Sequence, residues 1–211
     1  ALWLDLQTNC FKNIEFQVTY FLDDNPLGNL QDFSNYINKT GYQIGVFWYS
    51  PFSISDLSFV FEYTRIRPYV YSHINPKNTY TAWGQLLGHR IGPNSDEIFT
   101  RVAYNFNERI RLSFDYQYIR HGQNIYDSQR NLVFNAGGDA FVAHRDIVDP
   151  IRIEFLDGER INQNIFTFNV KYEPFRNFIF YLFIRETMSK NITRDITNNS
   201  SYGYLRLMFE L

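Results

Sequence analysis

One cysteine and two methionines are all the sulfur in 211 residues. Cys10 alone cannot build a disulfide framework or a multi-cysteine zinc site, and a single thiol reads as a small apolar side chain. Charge is scarce and nearly balanced: 20 Lys+Arg face 22 Asp+Glu, a formal net charge of -2. That balance excludes binding carried by bulk positive charge, so nucleic acid is not an expected partner. No run of 18 apolar residues occurs, which excludes a transmembrane helix. Mean hydropathy is -0.35, but an average over alternating residues is blind to strands that are half polar. No Ser-His-Asp order, HExxH, Walker A or GxGxxG motif occurs, so the expectation is no enzyme, no cofactor and no metal. Ala1 passes directly into Leu2, Trp3 and Leu4 without a basic n-region or cleavage pattern, and so this start reads as carrying no secretory leader.

What the chain has in excess is aromatic: 21 Phe, 16 Tyr and 3 Trp, 19% of all residues. These rings fall into period-two alternation. Over residues 109–118, Ile110, Leu112, Phe114, Tyr116 and Tyr118 alternate with Arg109, Arg111, Ser113, Asp115 and Gln117. Residues 14–22 and 41–48 read the same way, as do 57–63, 98–106, 166–172, 178–184 and 203–211, with a partial strand at 2–6. Across these nine strands every apolar-face position is apolar except Thr100 and Gly203. The opposite face carries Glu15, Gln17, Gln43, Glu62, Arg101, Asn105, Arg111, Asp115, Gln117, Asn169, Lys171, Arg185, Arg206 and Glu210. Burying so many charges in a small soluble barrel would be very costly; a wide barrel solvates them in its lumen.

Connections alternate in length. Short ones fall at 8–13, 50–53, 107–108 and 173–177, and long ones at 23–40, 74–97, 120–160 and 188–200. Short turns at one end and long loops at the other mark an antiparallel outer-membrane β-barrel. Aromatics near strand ends (Tyr20, Phe21, Trp48, Tyr49, Phe106, Tyr118, Tyr172, Phe178) suit interfacial girdles. Leu205, Leu207, Phe209 and Leu211 alternate to the last residue, as in a final barrel strand. With the short turns placed in the periplasm, residues 2–6 run inward from the outside, and nine strands is the wrong parity for a complete barrel. The expectation is one β-barrel domain over 1–211 that forms the C-terminal portion of a larger barrel, its N-terminal strands absent.

Within this frame, residues 62–68 read E-Y-T-R-x-R-P, 71–73 Y-S-H, 78–81 N-x-Y-T, and 84–94 G-Q-x-L-G-H-x-x-G-P-N. The string resembles the Wzi-type capsule assembly family over roughly residues 59–106. That resemblance implies an outer-membrane lectin of a Gram-negative bacterium that attaches capsular polysaccharide to the cell. The strand from residue 57, read through to 72, exceeds the about 9–11 residues that cross a bilayer. Arg65 and Arg67 share the parity of its apolar set, at a cost of about 2–4 kcal/mol each if placed at the lipid midplane. Projection of the strand above the membrane removes that conflict and sets both at lipopolysaccharide height; a bulge near Thr64 is the alternative. The following loop offers Tyr80, Trp83, Gln85, His89, Asn94, Ser95 and Asp96. Rings suit the C–H faces of sugars and planar polar groups suit hydroxyls, although the same loop could simply fold to plug the lumen.

Other chemistry is weaker. His73, His89, His121 and His144 lack zinc spacing. Asp139, Asp146, Asp149, Asp157 and Glu159 could ligate Ca²⁺, but Arg145, Arg152 and Arg160 favour internal pairing. Asp96 and Glu97 are adjacent, so a strand points them to opposite faces and a glycosidase pair fails. Expected partners are outer-membrane lipid, lipopolysaccharide, surface polysaccharide and other outer-membrane proteins. The alternatives to polysaccharide recognition are a structural subunit of a larger assembly and a passive porin. Inward-facing Phe47, Tyr49, Phe99, Ile179, Tyr181 and Phe183 speak for a lumen too crowded for a porin.

Overall fold

The computed structural model describes residues 1–24 and 32–209. Its strands are β1 (Leu2–Phe11), β2 (Ile14–Leu22), β3 (Thr40–Tyr49), β4 (Leu57–Ile66), β5 (Thr81–Ala82), β6 (Gln85–Leu86), β7 (Ser95–Asn107), β8 (Ile110–Gln123), β9 (Ile125–Tyr126), β10 (Leu132–Phe134), β11 (Glu159–Phe175), β12 (Phe178–Asn191) and β13 (Ile196–Phe209). Nine of them form one antiparallel sheet in sequence order, β1-β2-β3-β4-β7-β8-β11-β12-β13, while β5-β6 and β9-β10 are separate small hairpins. No helix among the described residues is long and apolar enough to cross a membrane. The sheet is open among the described residues: β1 pairs with β2 and β13 with β12, but not with each other. The expected all-β antiparallel architecture is therefore present; a closed barrel is not.

Register converts the alternation into two faces. Val102, Phe114 and Phe168 stand opposite one another on β7, β8 and β11, and they remain 40%, 47% and 39% exposed. Among the described residues no other element covers these three side chains. On the other face Arg101 grips Asp115 with two 2.7 Å bonds from Nε and Nη2, and Gln17, Gln43, Glu62, Asn169, Lys171, Arg185 and Arg206 share that side by register. Glu210 and Leu211 lie outside the described residues, as do positions 25–31 of the first long loop.

Several strand boundaries differ from the periodicity: β8 runs on to Gln123 and β11 begins already at Glu159, so both enter the connection expected at 120–160. The connection expected at 188–200 is mostly strand: β12 and β13 continue their ladder to the Asn191–Ile196 pair, leaving a tight turn at 192–195. The strand expected to run to residue 72 ends at Ile66. Its register against β3 and β7 is unbroken through Ile66, so Thr64 holds no bulge. The strand expected at 2–6 continues to Phe11, with a register shift between Thr8 and Phe11.

The core is displaced to one end. Tyr69, Val70, Ala136, Ile153, Asn94 and Asn135 are almost wholly buried, and they all lie in or beside the long connections after β4 and β8.

Candidate functional site

Asn94 organises that end. It sits at φ 53°, a left-handed conformation that Asn tolerates better than other side chains. Its Nδ2 donates to the carbonyls of Gly122 (2.8 Å), Asp157 (3.0 Å) and Ala136 (3.2 Å), and its Oδ1 accepts from the Leu156 N–H at 2.7 Å. One side chain thus ties the loop before β7 to the end of β8 and to two turns of the loop before β11. Gly122 is required there, since a Cβ would strike Asn94 Nδ2 and the Asp157 carbonyl.

A second bracket joins the same loops. Tyr69 Oη donates to the Asn135 carbonyl at 2.7 Å, and Asn135 Nδ2 donates to Asp149 Oδ2 at 2.7 Å. Burial and the Asp149 charge push the Tyr69 phenol up. Burial opposes ionisation of Asp149, but Arg145 and Asn135 outweigh it and hold the carboxyl below its ordinary value. The other acids weighed as Ca²⁺ ligands are also engaged: Asp139 with the Phe141 N–H, Asp146 with His144, Asp157 with the Glu154 N–H, and Glu159 with Arg194. The first long loop docks through Tyr36, stacked on His144 at 3.6 Å.

Between the Tyr69 and Asn94 braces, Tyr71, Tyr80 and residues 87–89 roof a cleft of about 250 Å³ on the polar face of β1–β4. Trp3, Phe21, Tyr71 and Tyr80 form its aromatic wall, with ring centroids 5.1 to 5.9 Å apart. Thr19, Gln43, Thr64 and His89 supply polar edges. The roof is tight: the His89 N–H donates to Tyr71 Oη at 3.1 Å, and a Cβ on Gly88 would overlap the Tyr71 ring. Trp3 and Phe21 were not among the sequence candidates. The signal was parity, because Trp3 is an aromatic on the otherwise polar side of β1, beside Asp5 and Gln7.

The predicted residues separate into three groups. Tyr80 and His89 line the cleft. Trp83 and Gln85 lie on the β5-β6 hairpin, whose turn has positive φ at Trp83 (53°) and Gly84 (74°), the geometry of a tight two-residue turn. Trp83 at its tip is fully exposed. Asn94 and Asp96 reach neither place. Asn94 is consumed by backbone groups, and Asp96 lies on the opposite face beyond the apolar band. There Arg120 Nε donates to Asp96 Oδ1 at 2.8 Å, Tyr63 Oη donates to Oδ2 at 3.1 Å, and Arg65 is the cross-strand neighbour. Glu97 points the other way, to Arg90. Arg65 stacks over Phe155 at 3.8 Å, and Arg67 Nε donates to the Asn38 carbonyl at 3.1 Å.

Burial, with Arg90 adding to it, holds the His89 imidazole down at about 4, against an ordinary 6.5. Between those values His89 carries its proton in the unfolded loop and not in the folded one, so its contribution to loop stability is full above about pH 6.5 and falls as pH drops toward 4. Burial raises the neighbouring Glu97 carboxyl and offsets part of that loss. Amide protection factors at His89 and Ile91 are expected to decline across that window, and His89→Gln to flatten the profile. A flat wild-type profile would contradict this account of the roof.

A comparison with family models matches residues 6–177 to the family described as capsule assembly protein Wzi. No curated protein matches the chain. The family match extends well beyond the motif-bearing segment and takes in most of the sheet and every long loop of the braced end. The chain belongs to the Wzi capsule assembly family.

Proposed function

We propose that this family member is an outer-membrane protein that recognises or anchors capsular polysaccharide at its loop end, without catalysing a reaction on it. The observation that carries this is the cleft: four aromatic rings and a set of neutral polar groups meet in a roofed pocket, as a saccharide with C–H faces and hydroxyls requires. Trp83, held out on its hairpin, serves as a second stacking surface. Uncovered apolar faces of this extent are not usual on soluble monomers; hydrocarbon of the outer membrane is the cover it suits. The Arg65–Asp96–Arg120 belt just beyond it then meets lipopolysaccharide phosphates, where charge-assisted contacts are strong.

Joint replacement of Tyr80 and Trp83 with Ala is expected to weaken retention of purified capsular polysaccharide by cells, with barrel assembly and heat-modifiable gel mobility unchanged. Unchanged retention in a correctly assembled variant would favour the structural-subunit reading. The edges of β1 and β13, open among the described residues, support that second reading, since strands of a larger barrel or of another outer-membrane protein would complete them.

A further inference from the structure

Far from the cleft, the polar face of β8–β13 carries a charge pattern that its own ladder does not balance. Lys171 and Arg111 are direct cross-strand partners, a like-charge pairing that costs stability unless something offsets it. Arg206 and Arg185 follow on β13 and β12 of the same face: Arg206 is joined to Lys171 through Tyr181, and the Phe183–Tyr204 pair lies between the two arginines. The described acids on these strands are committed elsewhere: Asp115 to Arg101, Glu159 to Arg194, Glu173 to the Asn177 N–H, and Glu186, on the opposite face, to the Ser201 hydroxyl. Lys171, Arg185 and Arg206 are exposed, and none of them has an ion-pair partner among the described residues.

Rings interleave with these cations. Phe183 and Tyr204 stack at 5.0 Å and 10°. Arg185 lies 5.1 Å over Phe183, and Arg206 lies 5.4 Å over Tyr204. Flat rings beside unneutralised cations match a sugar that bears carboxylates: ring faces for the C–H surface, guanidinium and ammonium for the acid. We infer that this wall binds uronate-bearing saccharide. The inference extends the polysaccharide reading to a second surface and an acidic ligand class, but its site shares no residue with the cleft.

The test uses the full chain refolded into detergent micelles, with tetragalacturonate and neutral maltotetraose as probes and inorganic phosphate as competitor. At low ionic strength the uronate is expected to bind about tenfold more tightly than the neutral oligomer, an advantage that shrinks as salt rises. Lys171→Gln and Arg185→Gln are each expected to remove most of that advantage, and Arg185→Lys to keep it. Should Arg185→Gln fail to assemble, Lys171→Gln decides the matter, since Lys171 is exposed and its side chain makes no hydrogen bond among the described residues. Equal binding of the two oligomers would overturn the inference, as expected if Asp5, Glu15 and Glu62 neutralise the wall from β1, β2 and β4. A preference that survives Lys171→Gln would overturn it too. Displacement of the uronate by an equal concentration of phosphate would overturn the saccharide assignment. Trp3→Ala separates the two sites: if it changes neither affinity while the uronate preference persists, the cleft is refuted and the wall stands.

Discussion

Asn94→Ala is expected to release the loop end while leaving the nine-stranded sheet assembled. The substitution strips a fully buried amide from three carbonyls and one N–H. Buried groups left without partners cost about 1–3 kcal/mol each, so a loss of about 3–5 kcal/mol in local stability is the expected scale. Ala also has no liking for the φ of 53° at this position. Hydrogen exchange should therefore quicken at Leu156, whose N–H loses its acceptor, and at Gly122, whose N–H donates to the Asn94 carbonyl at 2.9 Å. Amides in the middle of β8 and β11 should stay protected, because their ladder is independent of the loops. Asn94→Gly separates the two causes, since it restores the backbone freedom but not the amide. Unchanged exchange at Leu156 and Gly122 in Asn94→Ala would show that packing, not this side chain, holds the loops.

On the proposal that the apolar face meets lipid, Phe114→Arg is expected to destabilise the protein in a bilayer, whereas Ser113→Arg one residue earlier is expected to be tolerated. Phe114 lies mid-strand on the uncovered face, between Val102 and Phe168, where a lipid-facing Arg costs about 2–4 kcal/mol. Ser113 faces the other way, near Asn169, on the side that already carries Arg101 and Lys171. Urea unfolding from lipid vesicles and heat-modifiable mobility would report the difference. Equal effects of the two substitutions would contradict the assignment of the apolar face to lipid.

The sheet was legible because a strand wet on one face and apolar on the other writes its period directly into the sequence. The same logic explains where legibility stopped. From residue 188 to 200 the strand residues of β12 and β13 are polar on both faces except Met188 and Ile196, so the period vanishes although the backbone ladder continues to Asn191 and Ile196. A hydrogen-bonded ladder needs no particular side chains, and composition there resembles a loop. Site residues were legible only in part, for a related reason. Amides and carboxylates suit a sugar and a buried carbonyl equally well, so Asn94 and Asp96 could not be told from ligand contacts until their partners were placed. Trp3 joins Tyr80 through a cross-strand neighbour and a loop distant in sequence, a meeting that no spacing encodes.

The three tryptophans offer the most direct test of polysaccharide recognition at the loop end. Trp3 lines the cleft, Trp83 tips the hairpin and is fully exposed, and Trp48 sits on the apolar face opposite Phe59. Three variants, each keeping one Trp and carrying Phe at the other two, would report each place separately by fluorescence as purified capsular polysaccharide is added. The account predicts a saturable change in emission from Trp3 and from Trp83 and none from Trp48. A response confined to Trp48, or no response from any of the three, would contradict it.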